Sequence, residues 1–150
     1  KGFTLIELMI VIAIIGIMSA VALANWLGYQ NNVNLKTAAG EVMADIASCK
    51  QRSVSEGINY CIQFTNGSPN YSINAPTCIP PTQTQAKNLT SFGSGLTISS
   101  ANFGLFGQEL RFIPRGTISA GTVRLTNSKN STATITTTVT GRAHVSFTMQ

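Results

Sequence analysis

Residues 3–27 read FTLIELMIVIAIIGIMSAVALANWL, from Phe3 to Leu27. The run is nearly unbroken in its apolarity, and as a helix rising about 1.5 Å per residue it would extend some 37 Å. A bilayer core of about 30 Å needs roughly 20 apolar residues. The apolar core of a cleavable secretory signal is shorter, about 7 to 15 residues, and Ser19-Ala20-Val21-Ala22 matches a small-residue cleavage site only weakly. An anchoring helix therefore accounts for the length, but not for Glu7, the one charged residue in the run. A carboxylate within a membrane costs at least about 2.5–3.5 kcal/mol and calls for a partner. Lys1 is the only cation near it in sequence, so the partner is expected from another molecule.

The residues that follow are polar and poorly charged. Only 10% of the chain is Asp, Glu, Lys or Arg, against about a quarter in ordinary domains. Once the stalk is set aside, about 120 residues remain, enough for one core. From Asn31 to Ser55, Leu35, Ala38, Ala39, Val42, Met43, Ile46, Cys49 and Val54 form an apolar stripe at helical spacing. Asn34, Thr37, Glu41, Asp45, Ser48 and Arg52 form the opposite, solvated stripe, and Gly57 is the expected stop. The helix thus continues beyond the apolar run and needs a sheet to cover one side.

The period then changes to two. Ile58, Tyr60, Ile62 and Phe64 alternate with polar residues, Asn66-Gly67 reads as a turn, and Tyr71–Ile73 as the return strand. Residues 74–95, with Pro76, Pro80 and Pro81, read as a long exposed loop. Further strands are expected near 96–100, 109–113, 122–126, 133–140 and 142–149, six or seven in all. The fold class is α+β: a long N-terminal helix packed on antiparallel sheet.

All of the net charge of +5 falls in residues 81–150, where Lys87, Arg111, Arg115, Arg124, Lys129 and Arg142 face Glu109 alone. Such asymmetry fits either a solvated basic sheet or an acidic partner. The three cysteines, Cys49, Cys61 and Cys78, include no C-x-x-C pair, and one His provides no zinc set. No metal site and no cofactor are expected. Cys61 with Cys78 is the preferred disulfide, and Cys49 with Cys61 its rival. No G-x-S-x-G, H-E-x-x-H, phosphate-binding loop or dinucleotide fingerprint occurs, so the chain reads as a non-enzyme.

Lys1-Gly2-Phe3-Thr4-Leu5-Ile6-Glu7-Leu8 resembles the processing site and first turns of type IV pilins and pseudopilins. The resemblance implies that residues 1–2 end a leader, that a prepilin peptidase cuts between Gly2 and Phe3, and that Phe3 is then N-methylated. It implies a hydrophobic membrane and filament-core helix over 3–30 and a globular pilin-like domain over 31–150. Glu7 would pair with the Phe3 amine of a neighbouring subunit, supplying the missing partner. The implied partners are copies of itself or other pilins, the assembly machinery and, before assembly, the bacterial inner membrane as a single-pass protein. A periplasmic or extracellular filament follows.

Leu110-Arg111-Phe112, Pro114-Arg115-Gly116-Thr117, Gly121-Thr122-Val123-Arg124-Leu125 and Thr140-Gly141-Arg142 resemble the GspH/FimT branch of that family. Some members of the branch carry a Gly-Arg-x-Arg that binds DNA during uptake. The chain has Gly141-Arg142-Ala143-His144 there. Strand parity sets Arg142, His144, Ser146 and Thr148 toward water and Ala143, Val145, Phe147 and Met149 toward the core. Arg142, His144, Arg124 and Lys129 are therefore the candidate DNA contacts, and contact with phosphates would be salt-sensitive.

Overall fold

In the computed structural model, residues 2–77 and 80–150 are described, with the side chains of 20–25 and 27 left aside. One helix, α1, spans Leu5–Glu56 without a break. It begins at a cap on Thr4 and ends at Gly57, whose φ of 69° is the left-handed turn that glycine adopts without penalty. Among the described residues eight strands follow: β1 (Tyr60–Phe64), β2 (Asn70–Ala75), β3 (Gln83–Asn88), β4 (Thr97–Asn102), β5 (Glu109–Phe112), β6 (Gly121–Thr126), β7 (Thr132–Thr137) and β8 (Ala143–Thr148). They form two antiparallel sheets, ordered β3-β2-β1-β5 and β4-β6-β7-β8.

The core lies between the second half of α1 and both sheets. Leu35, Ala38, Ala39, Val42, Ile46 and Cys49 are buried against Tyr60, Ile62, Phe64, Leu110 and Phe112 of one sheet and Ile98, Val123, Leu125, Ala133 and Ile135 of the other. At the end of the stripe Val54 turns out to solvent at 52% exposure, and Ser53 is buried in its place. The Ser53 hydroxyl donates to the Ile58 carbonyl at 2.8 Å, fixing the chain as it leaves the helix. A buried hydroxyl with a partner avoids the cost of an orphaned polar group.

Two expectations about the strands change. The stretch 74–95 is not one irregular loop, since it contains β3 and a 3-10 turn, Leu89–Phe92, with Leu89 buried. β3 lacks a hydrophobic alternation because nearly all its side chains face solvent. It is held by pairing with β2 over six positions and by Lys87, whose Nζ lies 3.0 Å from Glu41 and 3.3 Å from Asp45. Glu41 and Asp45 are therefore tied down and are not a free solvated face. Second, Phe147 and Met149 remain 40% and 36% exposed and do not enter the core. They sit at the far end of an edge strand, where only Ala143 and Val145 pack against the buried cluster.

Cys49 is a free, buried thiol and Cys61 is disulfide-bonded, which excludes the Cys49–Cys61 pairing. Cys61 is buried although it lies on the strand face opposite Ile62. The preferred partner, Cys78, lies outside the described residues.

Candidate assembly site and basic sheet

Among the described residues, nearly all those of the N-terminal half of α1 are exposed. Phe3 is 83% exposed, and Leu5, Ile6, Leu8, Met9, Ile10, Val11, Ile12, Ile14, Ile15, Ile17 and Met18 are all exposed. Among the described residues no helix is long and apolar enough to cross a membrane. Residues 20–25 and 27 of the anticipated span are among those whose side chains are left aside. Gly2 and Phe3 precede the helix and are accessible. A Cβ at Gly2 would meet nothing within 4 Å, so packing within the chain does not require glycine there.

Glu7 stands in the first turn and closes a capping box with Thr4. Its Oε2 accepts from the Thr4 amide at 3.4 Å and from the Thr4 hydroxyl at 3.3 Å, while Thr4 Oγ1 accepts from the Glu7 amide at 3.4 Å. A carboxylate here meets the positive end of the helix dipole as well. The contacts are long and exposed, so the carboxylate is oriented toward the N-terminus yet open to a stronger, charged donor.

The structure does not gather the four candidate DNA contacts into one cluster. Arg124, on β6, and His144, on β8, share the outer face of the second sheet, opposite Val123, Leu125 and Ile135. Arg142 lies in the turn before β8, close to Lys50 of α1, whose Nζ donates to the carbonyls of Thr140 and Gly141. Lys129 lies in the opposite turn, which Asn127 fastens to the middle of α1 by donating to the Asn31 carbonyl and Asn32 Oδ1 at 3.1 Å. With 19 residues of helix between these anchor points, Arg142 and Lys129 bracket the sheet about 28 Å apart along the helix axis. The four form a dispersed basic face.

Sequence reasoning missed the cluster that joins helix to sheet. Tyr71 Oη donates to Asp45 Oδ2 at 2.7 Å, and Lys87 bridges Glu41 and Asp45. Burial first, and then the hydrogen bond to Asp45, raise the Tyr71 pKa well above its ordinary value. Burial first, and then the charge of Asp45, push the Cys49 thiol up to about 12, which keeps it protonated and inert. The hydrogen bond to Glu41 is the main cause that raises Lys87. Tyr71 and Asp45 lie on different elements and are far apart in sequence, so spacing gave no signal. Among the described residues no group of three or more His, Cys, Asp or Glu is placed to hold a metal ion.

Residues 1–23 match the family model described as the prokaryotic N-terminal methylation motif. The chain is 38% identical over 73 residues to a fimbrial protein of Pseudomonas aeruginosa, covering 49% of this chain and 47% of that one. It is 54% identical over 44 residues to a type IV major alpha-pilin of Moraxella bovis, covering 29% of this chain and 28% of that one. The chain thus spans about half or less of the length of these curated relatives. In fold it is similar to the minor pseudopilin EpsH from the type 2 secretion system of Vibrio cholerae, with a TM-score of 0.61 and 11% identity over 76% of this chain and 97% of that one. It is also similar to the type IV minor pilin FimU of Pseudomonas aeruginosa, with a TM-score of 0.58 and 16% identity over 79% and 92% of the two chains. Methylation motif, N-terminal identity and fold all point the same way: the chain is similar to type IV pilins and pseudopilins.

Proposed function

We propose that the chain is a structural subunit of a filament, either a type IV pilus or a type II secretion pseudopilus, of the GspH/FimT branch. It waits in the bacterial inner membrane as a single-pass protein, is cut by prepilin peptidase between Gly2 and Phe3, and is N-methylated on Phe3. Glu7 then exchanges its contacts with Thr4 for the cationic amine of Phe3 in an adjacent subunit. The attraction is strong in a dry bundle, and the apolar helices bury one another in the core of a periplasmic or extracellular filament. The observation that carries this reading is an unbroken helix whose first half presents apolar side chains that the chain itself leaves uncovered. Replacing Gly2 with a bulky residue should leave the leader uncut, as read by mass spectrometry, and stop incorporation. Normal filaments from an uncut subunit would count against the proposal.

A second reading is favoured by the charge distribution. Among the described residues Arg115, Arg124, Lys129 and Arg142 have no carboxylate partner, which fits a minor pilin whose basic sheet holds DNA for uptake. DNA binding by the full chain in detergent should then weaken steeply with salt, and the Arg142→Gln variant should bind more weakly with a shallower salt slope. Absence of binding at low salt would remove this reading and leave the first intact.

A further inference from the structure

Four strands stand at sheet edges: β3 and β5 in one sheet, β4 and β8 in the other. An edge offers unpaired N–H and C=O groups, and folded proteins block it with charge, proline, a bulge or a covering segment. Three edges here are blocked. β4 is covered by the β1–β2 turn, with the Gly67 amide donating to the Ile98 carbonyl at 2.8 Å and the Ile98 amide to the Ser68 carbonyl at 3.0 Å. It also carries a register break between Ile98 and Ser100. β5 is covered by Ile118 and Ser119, through a bridge to Phe112 and a 3.0 Å bond from the Ser119 amide to the Arg111 carbonyl. β3 is polar except for Ala86 and carries Lys87.

β8 has no such protection. Its sequence, Ala143-His144-Val145-Ser146-Phe147-Thr148, holds no Lys, Asp, Glu or Pro, and its register with β7 is regular at all six positions. Among the described residues, β7 is the only segment whose backbone bonds to it. Its inward row ends in the half-exposed Phe147, and Met149 follows it.

Charge decides what fits there. Four of the five side-chain carboxylates of the chain are paired with cations: Glu41 and Asp45 with Lys87, Glu56 with Arg52 and Glu109 with Arg111, while Glu7 at the start of the helix meets only Thr4. Arg142 stands immediately before β8, and Arg124 lies on the outer face in the row of Thr134 and Ser146. A second copy of this chain would bring more cations, and its one carboxylate without a cation, Glu7, stands in the first turn of the helix and not on a strand.

We propose that the outer edge of β8 receives an extended segment of a different protein, acidic on its outer face, as a further strand of the β4-β6-β7-β8 sheet. Main-chain hydrogen bonds hold the strand, its apolar residues cover Val145 and Phe147, and its carboxylates meet Arg142, with Arg124 two strands further in adding only to the positive field of that face. The site is separate from the helical contact at Glu7, so its failure leaves the filament reading untouched.

The test uses the full chain in detergent micelles and two synthetic peptides. One has the sequence Glu-Val-Thr-Val-Glu-Val-Thr, and the other has Lys in place of each Glu. Amide hydrogen exchange across 143–148 is the readout. The acidic peptide should slow alternate amides of β8 by about tenfold and the lysine peptide should not, and Arg142→Gln should weaken the acidic peptide by a similar factor. Protection by neither peptide, or equally by both, overturns the proposal. Concentration-dependent protection of β8 in the chain alone also overturns it, in favour of a second copy.

Discussion

Lys87, on an edge strand, reaches Asp45 on the helix at 3.3 Å, and the same ammonium lies 3.0 Å from Glu41. Lys87 is the only residue of β3 that faces away from solvent in part, so this contact, together with pairing to β2, positions the strand. Replacing Lys87 with Met should lower stability by about 1 kcal/mol, as expected of a part-exposed ion pair. In a double-mutant cycle with Asp45→Asn, urea titrations should show the two losses to be less than additive.

Three groups buried in or bordering the core make stability sensitive to alkali. Cys49, Tyr71 and Lys87 all have pKa values raised by folding from ordinary values of 9.0, 10.0 and 10.5. For a raised pKa the stabilisation is complete below the unfolded value and fades as pH climbs toward the folded one. Thermal stability should therefore hold through neutral pH and fall from about pH 9 upward. Tyr71→Phe should make the decline shallower above about pH 10. An unchanged melting temperature up to pH 11 would contradict this, on the same scale.

The helix and most strands were legible because their burial follows a simple period, 3.6 for Leu35–Cys49 and two for Leu110–Phe112 and Val123–Leu125. The failures share a cause. β3 is exposed on nearly every residue and carries no pattern, and Cys61 is buried on a face that alternation assigns to solvent. Phe147 and Met149 have core-like identity but stand beyond the edge of what the helix covers. Ser53 is buried for its hydrogen bond and not for apolarity. At the candidate site the motif around Gly2, Phe3 and Glu7 was readable from residue order. The scatter of Arg142, His144, Arg124 and Lys129 depended on sheet register, which the sequence leaves open.

Two glycines should respond in opposite directions. A Cβ on Gly121 would collide with the Asn102 carbonyl and the Phe103 backbone, so Gly121→Ala should cost about 1–3 kcal/mol. A Cβ on Gly40, on the exposed side of the helix, meets nothing within 4 Å. Gly40→Ala should stabilise by about 0.5–1 kcal/mol. Chemical denaturation of both variants checks the pair.

If Cys61 pairs with Cys78, the unreduced protein should yield one titratable thiol after unfolding, from Cys49. Replacing Cys61 should cost about 3 kcal/mol, and replacing Cys78 as well should add little. A thiol count unchanged by Cys49→Ala would contradict the pairing.

The central claim is that Glu7, held only by weak contacts with Thr4 in the isolated subunit, is the docking group for a neighbour's N-terminal amine. The direct measurement compares native and Glu7→Leu chains, expressed with their assembly machinery, for membrane insertion, leader cleavage and the amount recovered in sheared filaments. The account predicts normal insertion and cleavage and a loss of about tenfold or more from filaments, since an uncompensated amine is costly in a dry bundle. Native incorporation of Glu7→Leu would contradict it.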